Sequence, residues 1–472
     1  MPILYIVKTK KSLIISTLIL ASIPLSLAAT KKIIDIRKSA AGTPANIVID
    51  VASNQGTVPS NLWQNLSQGG EEAADMLSPV AIGSTLLQSL HPKLIRIDHL
   101  FDYFNVYQGP NNYNFYLLDK SINTIISSGA IPMLSLSYTT ADMSENGQNA
   151  GAPKDWDQWY QLVKATAKHY SVDKNISGIY YEVWNEPDLF GSWHYGKNPN
   201  YSTLYIKTAQ AVMDGARGTN YYLGGPATTA YYKNWVKALF KTASQNKLRL
   251  DFISWHRYSK NSLDYLKDID DLNKIFIDYP DYYTVQKIIT EFGPNPEGDA
   301  WYDNSLSGIH LISLSTQLAG KIHKLFSFEI VDGPKRKNDQ STGWGMITHQ
   351  SQGSLPKPRY FALKFLNQLE NSTLLNSVGN GTWVTSLSTR KNKITQTLLV
   401  NYDPKNSHVE TVPVTWQVLK QGKYRLTVLH YQADGNLRPT SKIINLVNNF
   451  RYTETIYMEP NTALILELTP LF

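Results

Sequence analysis

The chain has 472 residues, with 42% hydrophobic and 18% charged residues. That composition excludes a disordered chain and allows a large core and two domains. It has no cysteine, which excludes disulfide frameworks, thiolate metal sites and lipid-modified cysteines. The formal charge of +7 includes no long basic run, so no nucleic-acid partner is expected.

The N-terminus predicts a secretory signal over residues 1–28. Lys8, Lys10 and Lys11 form a basic start, residues 12–27 an apolar run, and Ser26-Leu27-Ala28 a small-residue cleavage site. Cleavage after Ala28 or Ala29 would leave a secreted or envelope protein with no membrane span. The apolar run is short for a spanning helix, and an uncleaved anchor is the alternative. Export without disulfides suits a bacterial envelope or exterior. Residues 30–41 read as a polar connector. Residues 45–52 alternate like a strand.

Strand and helix then alternate. A strand is expected within 59–70, running into Gly69 and Gly70, then a helix over 71–90 interrupted near Pro79. Strands follow at 93–98, 130–136, 178–184, 221–225, 251–258, 285–291 and 324–330. Helices are expected at 115–128, 155–170, 201–217, 231–245, 263–277, 305–321 and 359–370. Eight strands with eight helices predict an α/β fold, a (β/α)8 or TIM barrel over residues 61–370. A doubly wound sheet is the alternative, but no Gly-rich phosphate fingerprint follows an early strand. After residue 371 short alternating segments appear at 393–400, 412–418, 424–430 and 463–468. Asp403-Pro404, Gln421-Gly422 and Asp434-Gly435 punctuate them. This predicts a C-terminal β-sandwich over 371–472. The 45–52 strand, which precedes the barrel within residues 29–60, is expected to join it.

Barrel active sites lie at the carboxyl ends of the strands. Two strands end in a glutamate there: Glu186 before Pro187, and Glu291 before Phe292-Gly293-Pro294. A carboxylate pair facing one pocket is the equipment for hydrolysing a glycosidic bond. Glu186 is the candidate acid/base, expected among apolar or anionic neighbours, and Glu291 the candidate nucleophile. Arg96 could hold Glu291 as an anion or could pair with Asp98 or a loop carboxylate. Tyr258 could donate to Glu291, and Asn185 is placed for a sugar 2-hydroxyl. His256 reads equally as a core histidine or a pocket group. Glu182 is expected to face the helices, and Glu329 is a candidate third acid. Trp184, Trp255 and Trp301 are either sugar platforms or core. His310 and His323 pair with nothing as metal ligands, and no His-Glu-x-x-His occurs. No metal and no cofactor are therefore expected.

Several stretches resemble, in order, the retaining glycoside hydrolases of clan A, and most closely glycoside hydrolase family 39. They are Glu182-Val183-Trp184-Asn185-Glu186-Pro187-Asp188, Leu223-Gly224-Gly225-Pro226-Ala227, Asp251 through Tyr258, Thr290-Glu291-Phe292-Gly293, Gly343-Trp344-Gly345-Met346-Ile347 and Lys357 through Ala362. The family is home to β-xylosidases and α-L-iduronidases. The resemblance implies a barrel plus sandwich, a carbohydrate substrate, Glu186 as acid/base and Glu291 as nucleophile. Two positions depart. Leu136-Ser137-Tyr138 stands where the clan often has a His. The strand-eight platform, often Trp, is Phe328 or is missing. An exo-acting β-xylosidase is the first expectation, an endo-acting polysaccharide hydrolase or a non-catalytic carbohydrate-binding envelope protein the alternatives.

Overall fold

The computed structural model describes residues 42–70, 84–334, 341–447 and 450–472. The expected signal over 1–28, the connector to residue 41 and most of the helix expected over 71–90 lie outside the described residues.

Eight strands close a parallel barrel: β2 (Asn65–Gln68), β3 (Leu94–Ile97), β4 (Ile131–Leu136), β5 (Ile179–Val183), β6 (Tyr221–Thr228), β7 (Phe252–Tyr258), β8 (Gln286–Gly293) and β9 (Lys324–Phe328). β9 pairs back onto β2, Asn65 opposite Phe326. The first strand is shorter than expected because residues 59–63 make a 3-10 turn ahead of it. β6 runs three residues further than expected, past the Gly224-Gly225-Pro226 stretch. Its glycine is needed: a Cβ on Gly224 would stand 2.2 Å from the Phe252 carbonyl oxygen.

Side chains fill the barrel in layers. The base is apolar: Leu94, Met133, Tyr180, Phe252, Ile288 and Phe326. One step up the interior turns polar: Ser67 pairs with Arg96 and Ser135 with Glu182, while Arg96 stands opposite Met133. The pocket opens above this layer.

The described helices are α1 (Ser84–Gln88), α2 (Tyr116–Ser127), α3 (Trp156–Lys168), α4 (Tyr201–Gly215), α5 (Lys233–Gln245), α6 (Ser262–Asp278), α7 (Ser305–Leu318) and α8 (Pro358–Leu366). Their starts follow local chemistry. Asp155, Asn200, Asn261 and Asn304 each accept a hydrogen bond from a first-turn amide, and Pro358 opens α8.

Before the barrel comes β1 (Ile47–Asp50), which lies between two strands of the C-terminal region. It runs parallel to Glu410–Gln417 and antiparallel to Asn376–Val378, and Arg451–Met458 completes this four-stranded sheet. The facing sheet has six strands, built round Val384–Lys391, Ile394–Asn401 and Thr462–Pro470. Between the sheets lie Ile47, Ile49, Val414, Trp416, Leu426 and Leu466. The outer face of the six-stranded sheet brings Leu398, Val400 and Ile465 into the barrel's own core cluster. This explains α7, which is buried almost all round: it lies between barrel and sandwich, so no face needs to be polar. Tyr431 seals the junction by donating to the Pro358 carbonyl at 2.8 Å.

Candidate active site

β5 delivers Asn185 and Glu186. The strand ends at Val183, and Trp184 takes a left-handed conformation with φ of 71°. That turn breaks the alternation and sends the Trp184 indole outward against Trp159 and Trp193. Trp184 and Trp255 are both fully buried and belong to the core. Glu186 is pinned by its backbone amide, which donates to the Ala227 carbonyl beside β6 at 2.9 Å.

β8 delivers Glu291 by a different device. Ile288 points into the barrel and Ile289 out toward the helices, so simple alternation would turn Glu291 outward. The register slips by one here, Trp255 facing Ile289 and His256 facing Glu291. The extra residue, Thr290, turns Glu291 inward, as bulges near active sites do.

The expected side chains meet. Arg96 Nη1 donates to Glu291 Oε1 at 2.8 Å, and Arg96 Nη2 to Asn185 Oδ1 at 2.6 Å. Tyr258 donates to Glu291 Oε2 at 2.7 Å. His256 Nδ1 lies 2.9 Å from Glu186 Oε1 and 3.4 Å from Glu291 Oε2. Asn185 Nδ2 donates to the Tyr138 hydroxyl at 2.7 Å, which leaves one amide hydrogen for a ligand. Phe328 stands at the rim, its ring edge-on to Tyr258 and to Trp344. It packs where a Cβ on Gly69 would be 2.6 Å from its ring.

Two expectations are corrected. Glu182 faces the barrel interior, not the helices: its Oε2 accepts from Arg96 Nε at 2.6 Å with both side chains fully buried. It shares the face of Tyr180, which plugs the barrel base. Glu186 has a histidine as its hydrogen-bonding neighbour, where apolar or anionic ones were expected. His256 is thus a pocket group as well as a buried one.

The electrostatics follow from this clustering. Burial pushes the Glu291 carboxyl up from the ordinary glutamate range; His256 and Arg96 oppose that without cancelling it. Burial pulls His256 down, but the charges of Glu291 and Glu186 outweigh it and its net shift is upward. Burial would likewise lower Arg96, yet Glu182, Glu291 and Asp98 hold it more firmly charged than usual. Burial and the Glu291 charge keep the Tyr258 phenol protonated, so it serves as a donor.

Glu186, His256 and Glu291 each place one ligand-type atom within 4.8 Å of the others. A metal would compete there with Arg96, which already supplies positive charge to Glu291. His310 is a core residue: burial depresses it to about 3, and its Nε2 is 2.9 Å from the Ser259 carbonyl. Trp301 is half-buried with the Lys260 ammonium 4.4 Å above its ring.

Comparison with known proteins bears on what this constellation is. The family described as glycosyl hydrolases family 39 matches residues 84–327, more than half of the chain. The chain belongs to glycosyl hydrolase family 39. Arg96, Asn185, Glu186, His256, Tyr258 and Glu291 fall inside the matched stretch, and Phe328 one residue beyond it. The chain is 24% identical over 296 residues to a beta-xylosidase of Geobacillus stearothermophilus, covering 56% of this chain and 57% of that one. It is 28% identical over 157 residues to a beta-xylosidase of Caldicellulosiruptor saccharolyticus, 31% of each chain. The matches thus span little more than half of the first relative and under a third of the second. Among solved structures, a GH39 enzyme from Xanthomonas axonopodis pv. citri superposes with a TM-score of 0.73 at 18% identity, over 91% of this chain and 98% of that one. A monomeric beta-xylosidase from Caulobacter crescentus CB15 does so with a TM-score of 0.73 at 20% identity, over 91% and 100%. These two likenesses establish the shared barrel-and-sandwich fold.

Sequence reasoning missed three contributors to this family 39 pocket. Tyr138 stands where a His was looked for, and it fixes the Asn185 amide. Trp344 lies in a quoted stretch but was not singled out as a site residue. Gln68 Nε2 donates at 2.9 Å to Glu329, which is buried beside Gly69. The inward parity of β2, shared by Gln68 and Leu66 or by Ser67 alone, cannot be read without its register, whereas Tyr138 could have been found from its place at a strand end.

Proposed function

We propose that the protein is a retaining glycosidase. Glu291 attacks the anomeric carbon while Glu186 protonates the leaving oxygen. Glu186 then takes a proton from the water that releases the sugar from Glu291. The reading is carried by the approach of the two carboxylates, one oxygen of each within 4.8 Å of the other. Retention works at about 5–5.5 Å, whereas inversion needs roughly 6.5–9.5 Å to admit a water.

The surroundings support this division of labour. Glu291 receives two donors, Arg96 and Tyr258, which favour the ionised form that a nucleophile requires. The Glu186 side chain is 15% exposed against 7% for Glu291, which suits a group that must meet a departing leaving group and an incoming water. The remaining amide hydrogen of Asn185 suits the sugar 2-hydroxyl, a contact that strengthens in the transition state. Phe328 and Trp344 offer apolar ring faces at the rim.

The substrate of this reading is a β-linked pentoside such as a β-xyloside, cleaved from a chain end. Its support is that the two relatives named above carry the name beta-xylosidase. The test is a screen of aryl β-glycosides and polysaccharides, with proton NMR of the first product. Release of β-xylose from an aryl β-xyloside is expected. An inverted anomer, or no turnover of any β-glycoside, would refute the mechanism. Products released only from within a polysaccharide would replace exo-action by endo-action.

The proposal includes export, supported by Lys8, Lys10 and Lys11 ahead of the apolar run. N-terminal sequencing of the secreted protein should begin at Ala29 or Thr30, and an intact Met1 would refute cleavage.

A further inference from the structure

Asp98 lies one residue beyond β3. Counting by twos puts it on the face of Leu94 and Arg96. Leu94 belongs to the apolar base of the barrel and Arg96 to the polar layer above, so Asp98 reaches the pocket layer. Its surroundings agree. Its carboxyl is in electrostatic reach of His99, Arg96, Asp102 and His256. Its own charge acts in turn on Glu291 and Tyr138.

The residue is only 3% exposed, yet its Oδ1 has no hydrogen-bond partner. The neighbouring acids each have a cationic or imidazole partner on one oxygen, although Glu182 Oε1, in the layer below the pocket, likewise has no hydrogen-bond partner. Glu182 and Glu291 are each held by Arg96, and Glu186 by His256. A buried carboxylate oxygen without a donor is costly, and sugar hydroxyls are the donors that such a pocket receives.

We propose that Asp98 selects the sugar held over Glu291, by accepting a hydrogen bond from its hydroxyl at C3 or C4. The inference rests on the glycosidase reading and adds the class of sugar. Asn185 shares the Arg96 guanidinium with Glu291 and takes the 2-hydroxyl in the glycosidase reading, so Asp98 is left for a hydroxyl further round the ring. A carboxylate in this position also meets a sugar carboxylate with like charge, so neutral glycosides are accepted and uronides are rejected.

The experiment measures binding by calorimetry, so that it does not depend on turnover. The probes are a xylose-configured iminosugar, its 3-deoxy and 4-deoxy counterparts, and a uronic-acid-configured one. The proteins are wild type, Asp98→Ala and the near-isosteric Asp98→Asn. In wild type, removal of one of the two hydroxyls should weaken binding roughly 10–100-fold. In Asp98→Ala the parent and that deoxy probe should bind alike, and the uronic-acid probe should gain affinity. In Asp98→Asn, which keeps an acceptor, part of the hydroxyl preference should persist. Equal deoxy penalties in wild type and both variants would overturn the inference. If wild type hydrolyses aryl glycosides while those penalties stay equal, only the inference falls. If it binds none of the probes and hydrolyses nothing, both fall.

Discussion

Glu182 Oε2 accepts from Arg96 Nε at 2.6 Å, and solvent reaches neither side chain. Arg96 is thereby a structural pillar of the barrel interior as well as the neighbour of Glu291. Replacing it strands two buried carboxylates. Arg96→Met should cost about 3–5 kcal/mol of stability, the usual result of breaking a buried pair from one side. Glu182→Gln keeps the shape and an acceptor oxygen and should cost less. Urea denaturation of the two variants measures both, and a loss below about 1 kcal/mol for Arg96→Met would contradict the role given to the pair.

Tyr258 and Glu291 give a pH prediction. Glu291 must be ionised to attack, and burial has raised its carboxyl above the ordinary value of 4.5. The acid limb of kcat/KM should therefore lie above pH 4.5. Tyr258→Phe removes a donor that favours the ionised form, so the limb should move further up. Its activity should fall roughly 10–100-fold, as the loss of one charge-assisted hydrogen bond does. A limb that stays put or moves down would show that the phenol does not act on Glu291.

The two glutamates should separate kinetically. Glu291→Ala should abolish turnover of every substrate. Glu186→Ala should slow substrates with poor leaving groups most, because activated aryl glycosides need little protonation. Added azide should restore part of the Glu186→Ala activity with a β-glycosyl azide as product. A uniform loss across leaving groups, with no azide product, would remove Glu186 from the acid/base role.

His256 should make stability fall as the solution turns alkaline. Its folded value is raised above 6.5 because Glu291 and Glu186 outweigh burial. The imidazolium therefore contributes stability fully below about pH 6.5, and that contribution is lost as pH rises through the raised value. Denaturant titrations of wild type should show this decline, and His256→Gln should show less of it. The same slope in both proteins would place the pH dependence elsewhere.

Much of the barrel was legible because several strands run into Pro or Gly at their carboxyl ends, as at Gln68-Gly69-Gly70, Glu186-Pro187 and Gly293-Pro294. What escaped depends on single backbone irregularities. The left-handed Trp184 hides the shared parity of Tyr180 and Glu182, so Glu182 was placed on the wrong face. The inward aim of Glu291 depends on the bulge at Thr290, a residue whose side chain gives no sign of it. His256 could not be assigned from its own strand, because its role comes from Glu186, on a strand two places round the barrel. The polar layer under the pocket was equally hidden, since Ser67, Arg96, Ser135 and Glu182 come from four separate strands.

The position of β1 bears on how the chain is made. The Ala45 amide donates to the carboxylate of Glu410, 365 residues later in the chain. At ribosomal rates of about 5–20 residues per second, that interval is roughly 20–70 s of synthesis. Ile47 and Ile49, both fully buried in the finished sandwich, therefore emerge long before anything exists to cover them. The barrel is in effect a large insertion between one strand of the sandwich and the rest. Moving β1 to the far end of the gene by circular permutation would bring this strand out beside its partners, and so remove the wait.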